Sequence, residues 1–166
     1  MSRVEKTIEI DVPARVAYDQ WTQFESFPEF MDGVESVTQR DDKRLDWTAT
    51  IGGQTRSWTA EIVDQTPDRR IAWKSTSGTE NAGAVLFEPV DADRTRITLT
   101  IDAEPEGVVE RVGDAAGFLD RRVQGDLERF KTFIERRDTP TGAWRGEIHG
   151  DAVVDDVTAD PSSIRR

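Results

Sequence analysis

The feature that most constrains the fold is a series of six short strand-like segments that fills most of the chain between residues 34 and 102. Turn-forming residues separate them, among them Gly52-Gly53 and Pro67-Asp68. Connections this short join neighbouring strands in antiparallel pairs. The sequence therefore predicts an antiparallel meander with strands at 34–40, 43–51, 54–64, 69–76, 82–88 and 94–102.

One further strand and two short helices are predicted to precede this meander. Residues 4–11 alternate with the two-residue period of a half-buried strand. Proline is favoured at the first position of a helix, so a helix should begin at Pro13 and end around Phe24. Because proline disfavours helix at the residue before it, a second helix should begin near Pro28. The two helices would then meet at a hinge.

A single long amphipathic helix is predicted after Pro105. Three glycines, Gly113, Gly117 and Gly125, each cost roughly 1 kcal/mol relative to alanine in a helix interior, so the first half should be the weaker half. This helix alone is long enough to cover the apolar face of the sheet. Its apolar residues step by three and four for about seven turns: Val108, Val112, Ala115 or Ala116, Leu119, Val123, Leu127, Phe130 and Ile134.

The chain after this helix has a different composition. It is acidic and has few large apolar side chains beyond Trp144 and Ile148, the two residues that we expect to dock on the body if any do. Such a composition cannot offset the conformational entropy lost on ordering. The sequence therefore predicts one domain over residues 1–137 and a mostly disordered tail over residues 138–166.

Charge and hydropathy argue against several classes of partner. The formal net charge of −11, from 33 acidic and 22 basic side chains, repels phosphate backbones and anionic lipid heads, so we expect no nucleic-acid partner. No apolar run has the length of a membrane span, so we expect no stable membrane insertion. The N-terminal residues read as a strand instead of a secretory signal, which favours a cytoplasmic location.

The residues that usually bind metals are scarce. The chain has no cysteine and one histidine, His149, which lies in the tail. Disulfides and thiolate metal sites are therefore excluded, and we expect neither a metal ion nor a cofactor. The sequence makes no prediction of the oligomeric state.

Five segments of the chain have patterns typical of one known family: "IEIDVP", "FESFPEFMDGVESV", "RRIAWKS", "VLFEPVDADRTRITL" and "VQGDLERFKTFI". Together with the order of elements, they resemble the START-like helix-grip superfamily (SRPBCC). Within it, residues 3–136 look most like the polyketide cyclase/dehydrase branch, close to the coenzyme-Q-binding lipid carriers. The resemblance implies an α+β helix-grip fold: a curved seven-stranded antiparallel sheet, two short helices between strands 1 and 2, and a long C-terminal helix packed across the sheet.

A ligand cavity is predicted between the sheet and the long helix. Strand alternation assigns Trp47, Trp58 and Trp73 to the face that meets the helix, and tryptophans interspersed with alanines can leave gaps there. The resemblance implies that the paired helices cap one end of the cavity, although their aromatic residues would equally suit a filled core. The predicted ligand-binding residues are Trp21, Phe24, Phe27, Phe30, Met31, Trp47, Trp58, Ala60, Trp73, Phe87, Leu99, Phe118, Leu119 and Val123.

Few residues are candidates for catalysis. Tyr18, Arg56 and Ser75 are the weak candidates, and each is more typical of a structural role. Aromatase/cyclase relatives are understood to carry serine, arginine and tyrosine groups in the cavity. In this chain Ala60 and Ile62 occupy inward positions of the strand "RSWTAEIV", which argues against cyclase catalysis.

Three functions follow as hypotheses. The leading one is binding or carriage of a hydrophobic small molecule such as a lipid, an isoprenoid quinone or an aromatic polyketide. The second is an enzyme of the polyketide cyclase/dehydrase type. The third is a protein-interaction module that contacts its partner through the acidic tail.

Overall fold

The computed structural model describes residues 2–51, 53–103 and 115–154 of the chain. Over these ranges the protein forms a curved antiparallel sheet with one long helix packed against it. The elements in chain order are β1 (Ser2–Ile10), α1 (Ala14–Trp21), a 3₁₀ helix (Phe24–Glu29), β2 (Val34–Gln39), β3 (Arg44–Ile51), β4 (Gln54–Thr66), β5 (Arg70–Gly78), β6 (Asn81–Asp91), β7 (Arg94–Ala103), α2 (Ala115–Arg137), β8 (Glu147–His149) and β9 (Ala152–Val154).

The sheet confirms the predicted meander. Strands β2 to β7 correspond to the six predicted segments, and their ends agree with the prediction within three residues. Strand β1 pairs with β7, which gives the order β1-β7-β6-β5-β4-β3-β2 with every pair antiparallel. This is the predicted α+β helix-grip fold. The described residues add two strands, β8 and β9, to the seven that were predicted.

The break between the two short helices lies earlier than predicted. Helix α1 ends at Trp21, and the 3₁₀ helix already begins at Phe24. At the break, the Thr22 hydroxyl donates a hydrogen bond of 2.6 Å to the carbonyl oxygen of Asp19. The prediction of a new helix near Pro28 is wrong, because Pro28 lies inside the 3₁₀ helix. A 3₁₀ helix this short has few internal backbone hydrogen bonds. It therefore accommodates a proline, which has no backbone N–H to donate.

The described part of α2 confirms the predicted apolar face. Leu119, Val123, Leu127, Phe130 and Ile134 are all buried. The predicted start of this helix, with Val108, Val112 and Gly113, lies outside the described residues. No helix within the described ranges is long and apolar enough to cross a membrane.

Residues 138–154, here called the C-terminal strap, are ordered against the body of the protein, contrary to the prediction of a mostly disordered tail. Trp144 and Ile148 are fully buried, so the expected docking of these two side chains is confirmed. Strand β8 pairs with the end of β4, and the Gly150 amide donates to the Val63 carbonyl at 2.9 Å. Burial of these side chains and hydrogen bonds to the free edge of β4 thus offset the conformational entropy lost when the strap becomes ordered. Residues 155–166 lie outside the described ranges, and the domain boundary at residue 137 stays a prediction.

Candidate functional site

An apolar cavity of about 130 Å³ lies between the sheet and α2. An apolar cavity of roughly 150 Å³ in another protein accommodates one benzene molecule, so this cavity has about the size of one aromatic ring. The residues that line it are Phe27, Met31, Val34, Trp47, Trp58, Trp73, Thr79, Asn81, Leu99, Ile101, Ala103, Leu119, Arg122, Val123 and Asp126.

Two stacked tryptophans form part of the sheet side of the cavity. Trp47 on β3 and Trp58 on β4 are direct cross-strand partners, which places both side chains on the same face of the sheet. Their ring centroids lie 5.6 Å apart, with the ring planes inclined by only 11°. The indole nitrogens of both have no hydrogen-bond acceptor in the part of the chain that the structure describes. The pair therefore forms a broad planar wall, and each of its two rings carries a buried donor without an acceptor in the described residues.

The third cavity tryptophan, Trp73, depends on a glycine for its position. Its cross-strand partner on β6 is Gly83. A Cβ atom on Gly83 would lie 2.5 Å from Cζ2 of Trp73, which is far too close, and 3.0 Å from Cδ1 of Ile101, which is a tight contact. The missing side chain at Gly83 thus allows the indole ring to lie across the neighbouring strand, where it lines the cavity.

Helix α2 contributes two charged groups to the cavity wall, Arg122 and Asp126, which lie one turn apart. Oδ1 of Asp126 accepts hydrogen bonds from the Asp32 amide at 3.0 Å and from Nη2 of Arg129 at 2.5 Å. Burial raises the pKa of the Asp126 carboxyl against the opposing effect of these hydrogen bonds. Arg122 forms no hydrogen bond or ion pair with any described residue.

Eight of the predicted ligand-binding residues line the cavity, and their role as ligand contacts stays a prediction. Five others belong to the hydrophobic core without lining the cavity, and the aromatic rings among them meet neighbouring rings edge to face or tilted. The side chain of Phe118 lies outside the described part. The first group is Phe27, Met31, Trp47, Trp58, Trp73, Leu99, Leu119 and Val123, and the second is Trp21, Phe24, Phe30, Ala60 and Phe87.

The three candidate catalytic residues do not line the cavity. Tyr18 is fully buried in the core, where its ring packs edge to face on Phe87 at 5.4 Å. Arg56 donates to the Gln54 side chain near the start of β4. The hydroxyl oxygen of Ser75 accepts a hydrogen bond from the Asn81 backbone amide at the start of β6 at 3.0 Å. That each has a structural role stays a prediction.

The polar residues of the cavity were missed by the sequence analysis. Thr79 and Asn81 lie at the β5–β6 turn, where the Asn81 side chain donates to the Thr79 carbonyl at 3.0 Å. A turn carries no periodicity that could have assigned them to the cavity. Arg122 and Asp126 did carry a signal, since they share one helix face with Leu119 and Val123 at steps of three and four.

Known proteins resemble this chain over most of its length. The model of the family "Polyketide cyclase / dehydrase and lipid transport" matches residues 10–132. An uncharacterized 17.2 kDa protein in the melC2-rnhH intergenic region of Streptomyces lincolnensis is 49% identical over 149 residues, which cover 89% of this chain and 99% of the relative.

Two solved structures extend the comparison. The Deinococcus radiodurans protein DR_A0006 is 31% identical with a TM-score of 0.65, over 82% of this chain and 99% of that protein. The Zhui aromatase/cyclase from Streptomyces sp. R1128 is similar in fold, with a TM-score of 0.68 at 18% identity over 85% of this chain and 98% of that protein. Together with the family match, these similarities confirm the predicted superfamily: the chain belongs to the polyketide cyclase/dehydrase and lipid transport family of START-like proteins.

Proposed function

We propose that the protein binds a hydrophobic small molecule that contains a planar ring, in the cavity between the sheet and α2. The observation that carries this proposal is the unfilled space of about 130 Å³ beside the stacked pair of Trp47 and Trp58. Protein interiors are close-packed and leave few voids larger than a water molecule, so a ring-sized apolar space favours a bound ligand.

The chemistry of the wall supports a ligand with an acceptor oxygen. The indole N–H groups of Trp47 and Trp58 lack acceptors within the described ranges. Buried donors without a partner are costly, and an oxygen atom on a bound ring would reduce this cost. The family description and the aromatase/cyclase name of the Zhui structure are compatible with such a ligand. A polyketide or a quinone would place one ring in the cavity and its remaining atoms beyond this volume.

Calorimetric titration with 2-naphthol tests the proposal, with one of its two fused rings in the cavity and the other extending beyond this volume. Wild-type protein should bind 2-naphthol, and Val123→Phe should weaken binding at least tenfold, because the added ring occupies the cavity that Val123 lines. Val154→Phe is the matched control, since this exposed valine lies in the strap and should tolerate the same change. Native mass spectrometry of protein purified from its own host should detect a co-purified ligand. Absence of such a ligand, together with no binding of 2-naphthol, would reject the proposal.

A second candidate function is acid–base catalysis of the cyclase/dehydrase type. It is favoured by Asp126, a cavity residue whose pKa is raised by burial, as a general acid requires. A linear poly-β-ketone thioester should then yield a cyclised aromatic product, detected by its ultraviolet absorbance. Asp126→Asn should abolish this product while 2-naphthol still binds. Equal product formation without protein would exclude catalysis and leave the binding function.

A further inference from the structure

We infer that the ligand is an aromatic carboxylate, with its ring beside the tryptophan pair and its carboxylate paired with Arg122. This inference rests on the proposed function and names the class of molecule that the same cavity would accept. It starts from the charges at the cavity wall and from the position of the Arg122 guanidinium.

The cavity wall carries one guanidinium that makes no hydrogen bond within the described part of the chain. Arg122 and Asp126 are the two charged residues among those that line the cavity. The Asp126 carboxylate already accepts hydrogen bonds from Arg129 and from the Asp32 amide. Arg122 attracts the Asp126 carboxylate through space, but it forms no hydrogen bond and no ion pair within 4 Å with any described residue. The hydrogen-bonding capacity of this guanidinium is therefore available to a ligand.

The backbone around Gly33 explains how the guanidinium reaches this place. Gly33 has a positive φ of +81°, and a Cβ atom there would lie 2.8 Å from Nη2 of Arg122 and 2.6 Å from the Thr50 carbonyl oxygen. The missing side chain therefore leaves room for the guanidinium. The glycine lies between Met31 and Val34, which both line the cavity, so the guanidinium lies at the cavity edge.

The physical consequence concerns desolvation. The Arg122 side chain is part-buried, and a ligand that fills the cavity would remove further water from it. A guanidinium without hydrogen bonds is costly to desolvate, whereas a carboxylate on the ligand would form charge-assisted and often bidentate hydrogen bonds with it. The flat wall of Trp47 and Trp58 favours a planar ring over a flexible alkyl chain.

Three small molecules separate the parts of this inference in calorimetric titrations at low ionic strength. They are 2-naphthoic acid, its neutral analogue 2-naphthamide, and dodecanoic acid. Wild-type protein should bind 2-naphthoic acid about tenfold more tightly than 2-naphthamide, the usual effect of a hydrogen bond to a charged group. Dodecanoic acid should bind more weakly than 2-naphthoic acid.

The variants provide a matched pair on one helix. Arg122→Gln should weaken binding of 2-naphthoic acid about tenfold and leave 2-naphthamide unchanged, because only the acid pairs with the charge. Arg122→Lys should retain part of the preference for the acid. Arg121→Gln removes the same charge from the neighbouring exposed position and should change neither affinity. Thermal unfolding of each variant verifies that it is folded.

Equal binding of the acid and the amide by wild-type protein would overturn the role of Arg122 and leave the proposed function intact. Tighter binding of dodecanoic acid, with the same dependence on Arg122, would overturn the aromatic part. Failure of all three molecules and of 2-naphthol to bind would reject both the inference and the proposed function.

Discussion

The two ends of the interior between the sheet and α2 are built from the same kind of residue and pack differently. At the packed end, formed by Tyr18, Trp21, Phe24, Phe30, Phe87, Phe130 and Trp144, the rings meet edge to face or tilted, and Trp21 lies 4.8 Å from Phe130. At the cavity end, Trp47 and Trp58 stack on each other and leave a ring-sized space in front of them.

The difference shows that aromatic content alone does not create a cavity. Edge-to-face rings from α1, the 3₁₀ helix and α2 interlock, and the C-terminal strap adds Trp144 to the same cluster. A stacked pair on two neighbouring strands instead presents one flat surface that no described side chain covers completely. The packed end therefore stabilises the fold, and the cavity end leaves the space in which we propose that the ligand binds.

The largest expected effect comes from removing the strap tryptophan. Trp144→Ala should lower the free energy of unfolding by about 3–5 kcal/mol, because the side chain is fully buried and leaves a large void. Trp58→Ala should cost less, about 1–2 kcal/mol, because one side of this ring already borders empty space. Urea denaturation measures both values. Equal costs would mean that the cavity end is packed as tightly as the other.

The second prediction concerns the charges that attach the strap to the packed end. The Arg145 guanidinium donates hydrogen bonds to the carboxylates of Asp19 at 2.6 Å and Asp68 at 2.7 Å. Asp19 is almost completely buried. Arg145→Met should cost about 3 kcal/mol at neutral pH, because it leaves the buried Asp19 charge with only the exposed and more distant Arg15 as a cationic partner. Arg15→Met is the control, since its exposed pair with Asp19 at 3.8 Å should contribute at most about 0.5 kcal/mol.

The stability lost in Arg145→Met should depend on pH. Burial raises the pKa of Asp19, and the nearby Arg145 opposes this shift. A carboxyl with a raised folded pKa favours the folded state while protonated, and that contribution is lost as pH rises through the folded value. Without Arg145 the pKa of Asp19 rises further, so the stability of Arg145→Met should fall more steeply above about pH 4. Urea midpoints between about pH 4 and 7 measure the slope, and parallel curves for variant and wild type would contradict this account.

The third prediction compares the same substitution inside and outside the cavity wall. Val123→Phe adds a ring next to empty space and should cost less than about 1 kcal/mol. Val85→Phe adds it at a fully buried position that does not line the cavity, and should cost about 1–3 kcal/mol. Thermal unfolding with calorimetric enthalpies measures both. A larger cost for Val123→Phe would show that the cavity cannot accept a ring.

The smallest expected effect concerns His149, which attaches β8 to β4. Its Nε2 lies 3.0 Å from Glu147 and its Nδ1 lies 2.9 Å from Asp64. Hydrogen bonds to Glu147 and Asp64 raise the pKa of His149. The contribution of His149 to stability is therefore full below about pH 6.5 and lost as pH rises through the folded pKa. The melting temperature of His149→Gln should vary less between about pH 6 and 9, and an unchanged slope would contradict this role.

Much of the fold follows from local sequence pattern. The strands, their antiparallel order and the apolar face of α2 all repeat with short periods, and turn residues mark where each strand ends. The packing of the C-terminal strap could not be predicted from local sequence pattern. It depends on one buried tryptophan and on the free edge of β4, which is far away in the sequence. Composition averages over a segment and gives no weight to a single docking residue.

The sequence by itself determined which side chains face the interior, because strand alternation and helical spacing fix the direction of each one. Only the tertiary structure decided which interior tryptophans pack solidly and which border a cavity. Trp21 and Trp47 are both buried residues of one type, yet Trp21 meets rings from the 3₁₀ helix, β6 and α2, whereas Trp47 stacks on Trp58 and meets Phe27 on one side only. Whether space remains depends on how the curved sheet, the helix and the strap fit together. The separation between the sheet and the helix cannot be predicted from any local sequence pattern.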